Sequence, residues 1–256
     1  MKILITSGGT KIPIDRVRSI TNMSRGTFGS KIADAFYDKV NDAVEDVSIT
    51  FFMAKGSKMP SRQDIDNEYF DAGINIMRYV EYSTFDEYKA GIEKLLSEEK
   101  FDIIVVAAAV SDYGVANYYD GKYRSREDDM CIKLVKLPKI LPIMRKMAPD
   151  AVICGFKLLV DSTQEELIAA MTKQVEETKV DIVIGNDLRD IKADDHKLLI
   201  MSRDKGQNDK DVLHYSWREV KQPPKAERTP KTANCLVEAV VDECMAEYKA
   251  KKGRVA

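Results

Sequence analysis

The sequence predicts an α/β protein: a doubly wound, Rossmann-like, mostly parallel sheet with helices on both faces, extended by a flap and by a C-terminal β-hairpin and helix. Three observations lead there. Strand-like and helix-like patterns alternate along the chain. The strand segments are apolar on both faces, residues 103–106 (Ile-Ile-Val-Val) most plainly, as strands of a covered parallel sheet must be. The first strand, residues 3–5, runs directly into Thr6, Ser7, Gly8, Gly9 and Thr10, a small polar strand-to-helix turn.

The elements follow in order. Residues 14–24 carry Asp15, Arg16, Arg18, Thr21, Asn22 and Ser24, and a helical pattern begins near Gly26 with Phe28, Ile32, Ala35 and Phe36. A β-rich run covers 47–53, then come a loop at 56–61 and a short strand at 74–79. Residues 86–96 place apolar and small positions near a period of 3.6 and predict a helix leading into the strand at 103–106. A short helix continues over 142–147, followed by a strand at 152–156, a helix at 163–177 and a strand at 181–184. Two regions depart from the alternation. Residues 117–134 carry Lys122, Arg124 and Arg126, then Glu127, Asp128 and Asp129, and read as a flap or an added hairpin. Residues 198–202 and 212–217 flank a plausible turn at Asp204, Lys205 and Gly206 and predict a terminal hairpin. After a polar, proline-containing linker at 221–228, Thr229 caps a last helix with Pro230 at its first position, reaching about Tyr248. Residues 249–256 are expected to fray as a solvated basic tail. One domain is expected over 1–256, with the 198–217 hairpin and the 229–248 helix as its C-terminal elements.

Composition excludes several classes. The chain has 256 residues, 44% of them hydrophobic, enough for a full core, and no apolar run near the roughly 18 residues that span a bilayer. Forty basic against 42 acidic side chains leave a net charge of −2, which offers no general attraction to nucleic acid. Cys131, Cys154, Cys235 and Cys244 show no C-x-x-C spacing and only His196 and His214 add imidazoles, which argues against a zinc site or a disulfide framework. The sequence enters a strand with no basic and apolar signal region ahead of it, and a cytoplasmic protein is expected.

Doubly wound sheets bind ligands beyond the carboxyl ends of their strands. Those ends are expected at Ser7, Gly8 and Gly9, at residues 107–112, at Gly155, Phe156 and Lys157, and at Gly185, Asn186 and Asp187. The glycine turn can aim backbone amides at an anion, and Asp15, Arg16, Arg18, Thr21, Asn22 and Ser24 gather ahead of a helix N-terminus, which also suits anions. An ordinary strand-to-helix turn has the same composition. Gly8, Gly9, Gly26 and Gly29 do not form G-x-G-x-x-G, and no G-x-x-x-x-G-K-[ST] occurs, so the residues alone leave both readings open.

Six motifs in series carry a resemblance: Thr-Ser-Gly-Gly-Thr at 6–10, Ile-Asp-Arg-Val-Arg-Ser-Ile-Thr-Asn-Met-Ser-Arg-Gly at 14–26, Ala-Ala-Val-Ser-Asp-Tyr at 108–113, Lys-Leu-Pro-Lys-Ile-Leu at 136–141, Gly-Phe-Lys-Leu at 155–158 and Gly-Asn-Asp-Leu at 185–188. Over roughly residues 1–188 the chain resembles phosphopantothenoylcysteine synthetase, the phosphopantothenate–cysteine ligase family, in its stand-alone bacterial form; 256 residues do not accommodate the flavin-dependent decarboxylase that many bacteria fuse in front, and no flavin is expected. The resemblance implies an amide ligation in coenzyme A biosynthesis. A nucleoside triphosphate activates the carboxylate of 4'-phosphopantothenate, giving an acyl nucleotide and pyrophosphate, and the amine of L-cysteine then displaces the nucleoside monophosphate. Bacterial members generally use CTP and eukaryotic ones ATP, so CTP is expected and ATP is the alternative. Mg²⁺ as co-ion, a homodimer with composite sites, and no nucleic-acid or membrane partner complete the expectation.

By the same resemblance Asn22 holds the acyl nucleotide and orients its carbonyl, and Lys122, on a mobile flap, closes over the triphosphate. Arg18 lies near the pantothenate carboxylate, and Ala108 and Ala109 let substrate approach the backbone. Nucleotide contacts are expected from Ser7, Gly8, Gly9, Ser24, Asp112 and Phe156, from the backbone of Pro138, Lys139, Ile140 and Leu141, and from Lys173 or, in another register, Lys179. The chain departs from the family pattern at Met23, at Arg25 and Thr27, and in the flap, where Lys122 is followed by Tyr123, Arg124 and Ser125. Two other functions fit parts of the sequence. One is a nucleotide-binding homologue without ligase activity; the other is a short-chain oxidoreductase, disfavoured by the missing dinucleotide fingerprint.

Overall fold

The computed structural model describes the chain apart from residues 42–46, 62–76, 125–129, 193–196, 204–214, 224–226, 229–231, 233 and 256. One sheet of eight strands organises it, in the order β12-β11-β10-β9-β6-β1-β4-β5. In chain order these are β1 (Lys2–Ser7), β4 (Ser48–Ala54), β5 (Met77–Tyr82), β6 (Ile103–Val106), β9 (Val152–Leu159), β10 (Ile182–Asp187), β11 (Lys197–Arg203) and β12 (Tyr215–Lys221). The run from β5 to β10 is parallel, and β11 and β12 add antiparallel to one edge. Two small antiparallel pairs stand outside it, β2 (Lys11–Pro13) with β3 (Ser19–Thr21) and β7 (Tyr113–Val115) with β8 (Leu134–Lys136).

The period of two in the strands separates two cores. Ile3 and Ile5 of β1, Ile103 and Val105 of β6, and Val152 and Cys154 of β9 pack with helix α1 (Thr27–Asn41) and the C-terminal helix α6 (Cys235–Val255). Leu4, Ile104 and Ile153 point the other way, toward α2 (Phe85–Glu98), α3 (Ile140–Met147) and α4 (Gln164–Thr178). Strands buried on both faces explain why the apolar runs in the sequence do not alternate. Helices α2 and α4 each begin with a capping box, Thr84 with Glu87 and Thr163 with Glu166, which satisfies amides that the first turn leaves open.

Several boundaries differ from the sequence reading, each for a local reason. β5 begins at Met77, so residues 74–76 of the expected strand lie outside the described residues, as do the turn at 204–206, residues 212–214, and Thr229 and Pro230. Gly155, Phe156 and Lys157, and Gly185, Asn186 and Asp187, are strand rather than loop: β9 and β10 pair as far as Leu159 and Asp187. Their glycines serve packing, since a Cβ on Gly185 would meet Met171 Sδ at 2.3 Å. α3 starts two residues early, at Ile140, and a short helix α5 (Leu188–Lys192) follows β10. The expected frayed tail is helical to Val255. Lys251 of that tail reaches the Asp181 carboxylate at 2.8 Å and the Ala151 carbonyl at 2.9 Å, so its charge is tied to the fold.

Asp181, 7% exposed, also accepts from Arg145 Nη2 and from the Ile153 amide at 2.8 Å. Arg145 in turn donates to the carbonyls of Ala148, Pro149, Ala151 and Lys179, closing the amino edge of the sheet. Removing the carboxylate strands two cations and an amide. Asp181→Ala is expected to cost roughly 3 kcal/mol and to lower the melting temperature by roughly 6–12 °C, measured by differential scanning calorimetry.

Candidate active site

From β1 the chain passes to β4 and β5 on one side of the sheet and returns to β6 on the other, so the topological switch point lies between β1 and β6. The two loops leaving these strands are tied together across it. The Ala109 amide donates to the Gly8 carbonyl (2.8 Å) and the Thr10 amide to the Ala109 carbonyl (3.2 Å), continuing the parallel ladder beyond the strands. Thr10 Oγ1 lies 3.0 Å from Ser111 Oγ and accepts the Ser111 amide at 2.9 Å. Below the loops, Tyr82 donates to the Ser7 carbonyl (2.8 Å) and Tyr88 to Thr6 Oγ1 (3.1 Å), with the Phe52 ring stacked on Tyr88. Burial raises both phenol pKa values, so these rings stay neutral and rigidify the floor.

Asn22 enters this junction from the segment after β3. Its Nδ2 donates to the Ala109 carbonyl at 2.7 Å and to Ser111 Oγ at 3.2 Å. A carbonyl can only accept, which fixes the carboxamide's orientation: the nitrogen faces the loops, and Oδ1 accepts no hydrogen bond among the described residues. Gly9 makes this approach possible, because a Cβ there would come within 2.9 Å of the Asn22 carbonyl oxygen. Gly8 has φ +87°, and a Cβ on it would meet Ala54 Cβ at 2.6 Å. Both glycines are needed to bring Asn22, Ala108 and Ala109 to one place.

The second part of the site is the base of the flap. Asp15, 2% exposed, accepts the amides of Val17 (2.8 Å) and Arg18 (2.7 Å), Arg18 Nε (3.0 Å) and Nη2 (2.6 Å), and the Tyr123 amide (3.2 Å). These donors hold its pKa far below the usual carboxylate range, the Arg18 bond first among them. The Arg16 amide donates to the Gly121 carbonyl (3.0 Å), and Arg16 pairs with Asp120 (2.6 Å). Lys122 therefore sits between two pinned neighbours, exposed. Lys122, Arg124 and Arg25 have no carboxylate partner among the described residues.

The remaining expected residues are distributed around this crevice and away from it. Asp112 and Lys139 are brought together as an exposed ion pair at 2.6 Å, and the Leu137 amide donates to the Asp112 carbonyl. Lys139 is the N-cap of α3 and makes no side-chain cap, so Ile140 and Leu141 contribute first-turn backbone, with the Ile140 side chain buried in the core and Pro138 exposed ahead of them. Phe156 lies edge-on to Phe28 at 5.9 Å, on the α1 side of the sheet. Ser7 is fully buried and its hydroxyl donates to the Gly26 carbonyl (3.1 Å), which gives it a packing role in the loop, while Ser24 is exposed. Lys173 is not brought to this edge. It lies nine residues into α4, about 14 Å along the axis, exposed and 3.8 Å from Glu177. Lys179 caps the far end of that helix, at the amino edge of the sheet.

Sequence reasoning did not single out Asp15, Thr10, Ser111 or Tyr123 as site residues. A usable signal existed only for Asp15, three positions ahead of Arg18; the other contacts span about a hundred residues. Among the described residues no three His, Cys, Asp or Glu side chains converge to hold a metal ion.

Comparisons with known proteins bear on the family and the fold. Residues 1–48 and 75–219 match the model of the DNA/pantothenate metabolism flavoprotein C-terminal domain, a match that runs past the six motifs into β12. The chain is 31% identical over 203 residues to the coenzyme A biosynthesis bifunctional protein CoaBC of Thermococcus kodakarensis, covering 79% of this chain and 45% of that protein. It is 30% identical over 188 residues to CoaBC of Methanocaldococcus jannaschii, covering 73% and 40%. The chain thus spans less than half the length of these curated relatives. Among solved structures, a Cab2 mutant in complex with phosphopantothenate-cysteine superposes with a TM-score of 0.77 at 19% identity, over 99% of this chain and 88% of that one. The DNA/pantothenate metabolism flavoprotein of Streptococcus pneumoniae gives 0.71 at 23%, over 98% and 99%. The expected Rossmann-like fold is the fold observed.

Asp187, at the end of β10, accepts the amides of Asp161 (3.2 Å), Ser162 (2.8 Å) and Arg189 (2.9 Å) and the Ser162 hydroxyl (2.8 Å), which lower its pKa to about 2. A depressed carboxylate contributes stability that is complete above its unfolded value of about 4 and is lost as pH falls through about 2. In Asp187→Asn the fall in melting temperature between pH 5 and pH 2 should be shallower than in the unmodified protein, with a lower melting temperature at pH 7.

Proposed function

The chain belongs to the DNA/pantothenate metabolism flavoprotein C-terminal domain family, and from that membership and the crevice geometry we propose that it is a phosphopantothenate–cysteine ligase of coenzyme A biosynthesis. The observation that carries the reading is Asn22, fixed by Ala109 and Ser111 at the switch point beside the backbone of Ala108 and Ala109. In the reaction a carboxylate oxygen of 4'-phosphopantothenate attacks the α-phosphorus of CTP and pyrophosphate leaves. The amine of L-cysteine then attacks the acyl carbon, the bond to the nucleotide oxygen breaks, and CMP leaves.

Both steps bring anions together, so cations and fixed donors must offset repulsion. In this reading Lys122, with no carboxylate partner and held by its pinned neighbours, meets the triphosphate. Arg18, with Nε and Nη2 engaged by Asp15, offers Nη1 to the pantothenate side. Asn22 is pre-set by its two hydrogen bonds to orient the acyl nucleotide. Gly8, Gly9 and Ser24 border the phosphates, Asp112 and Phe156 the nucleoside, and the first-turn backbone of α3 faces the base. Mg²⁺ would arrive with the triphosphate, since the described residues build no protein metal site, and no step is assigned to it.

We also propose a cytoplasmic homodimer with composite sites. Among the described residues no helix is long and apolar enough to cross a membrane. The exposed apolar residues Val17, Ile20 and Met23 beside one small sheet, and Tyr113, Leu134 and Val135 on the other, are a surface that a second copy would cover.

The direct test supplies phosphopantothenate, cysteine and Mg²⁺ with CTP or ATP and follows pyrophosphate together with phosphopantothenoylcysteine. Turnover with CTP at higher efficiency than with ATP is expected; equal or better efficiency with ATP overturns the nucleotide assignment, and no product with either overturns the ligase. In Asn22→Asp a carboxylate would face the Ala109 carbonyl and the anionic intermediate. Its kcat should fall about 100-fold or more, with a melting temperature lowered by no more than about 4 °C.

A further inference from the structure

We infer that Asp15 is a positioning residue for the ligation: one buried carboxylate sets both the substrate-side Arg18 and the base of the flap that presents Lys122. The inference rests on the ligase reading above. Its basis is the way the two carboxylate oxygens divide their work.

Oδ1 closes a turn on its own segment, accepting the amides of Val17 and Arg18. Oδ2 takes Arg18 Nε and Nη2, and then a donor the local turn does not supply, the amide of Tyr123, 108 residues away in the chain. Arg18 repeats the connection, since Nη2 also donates to the Tyr123 carbonyl (3.2 Å) and its guanidinium lies over the Tyr123 ring at 5.7 Å to the centroid. Asp15 and Arg18 thus hold both backbone polar groups of the residue after Lys122. The residue before it, Gly121, has its carbonyl held by the Arg16 amide.

A carboxylate needed only to satisfy Arg18 could do so at the surface, as Asp120 does for Arg16 with both side chains more than half exposed. Asp15 instead gives up almost all contact with water. Its negative charge is matched by Arg18, and Lys122 has no carboxylate partner among the described residues.

The test is a double-mutant cycle with an exchange readout. Asp15→Asn keeps the shape but replaces an acceptor with a donor among N–H groups. Amide hydrogen exchange in the peptide spanning residues 119–124 should rise at least tenfold, KM for phosphopantothenate should rise about tenfold, and kcat should fall about tenfold. Lys122→Gln should lower kcat in the unmodified background and have less than a threefold effect in the Asp15→Asn background, because the flap lysine is already misplaced there. Multiplicative losses, or unchanged exchange over 119–124, would overturn the inference. If Asp15→Asn does not fold, Arg18→Met replaces it: it removes the Asp15 partner together with the bond to the Tyr123 carbonyl, so exchange over 119–124 should rise and Lys122→Gln should lose part of its effect on kcat, whereas unchanged exchange with a full Lys122→Gln effect overturns the inference. An unmodified protein that makes no phosphopantothenoylcysteine, with exchange still raised in Asp15→Asn, removes the ligase reading and leaves the anchoring itself intact.

Discussion

Two backbone hydrogen bonds between the loops after β1 and β6 set the geometry on which the rest of the site depends. Where the strand order reverses, a doubly wound sheet opens a crevice, and loops at such an opening ordinarily diverge. Here Ala109 donates to Gly8 and accepts from Thr10, so the ladder continues into the opening. That closure requires residues without bulk at Gly8 and Gly9 and places one carbonyl, that of Ala109, where it accepts from both Thr10 and Asn22. The buried Tyr82 and Tyr88 hydroxyls fasten the same loops from below. A carboxamide held this way need not reorganise when charge develops beside it, which is the physical content of preorganisation.

The flap base is held by a different kind of contact. Beside backbone bonds from Ile14 and Arg16, it is held by the buried Asp15 carboxylate and the Arg18 guanidinium, all of them connections long in sequence. A rigid crevice beside a cationic loop anchored on both sides of Lys122 suits the proposed reaction, in which a triphosphate must enter and its products leave.

Much of this was legible from the chain and some was not. The strand at 103–106 matches β6 to the residue, β4 was found to within a residue at either end, and β1 was found to within a residue at its start but runs two residues further, to Ser7; fully buried parallel strands announce themselves as unbroken apolar runs. The three-residue strands of the two small sheets leave no periodicity to read; Ser19–Thr21 and Leu134–Lys136 are exposed throughout. Gly155 and Gly185 suggested that the strands end there, yet both strands run on past them and each missing side chain makes room for a helix, a tertiary fact invisible locally. The tail past Lys249 looked solvated because its anchor, Asp181, is seventy residues earlier. At the site, Asn22, Arg18, Ala108 and Ala109 stood out through motifs and Lys122 through its place in the flap, and the structure places Asn22 against Ala109 and Arg18 against the flap base. Asp15 was grouped with Arg16 and Arg18 ahead of a helix N-terminus and given no role of its own; its burial and its bond to the Tyr123 amide, 108 residues away, are what distinguish it.

The proposed ligation requires this crevice to activate a carboxylate by bonding it to the α-phosphorus of a nucleotide. The most direct measurement follows oxygen. With phosphopantothenate carrying ¹⁸O in its carboxylate, one round of ligation should leave one labelled oxygen in the phosphate of CMP, read by mass spectrometry. Unlabelled CMP, or label in inorganic phosphate with CDP as the nucleotide product, would contradict it.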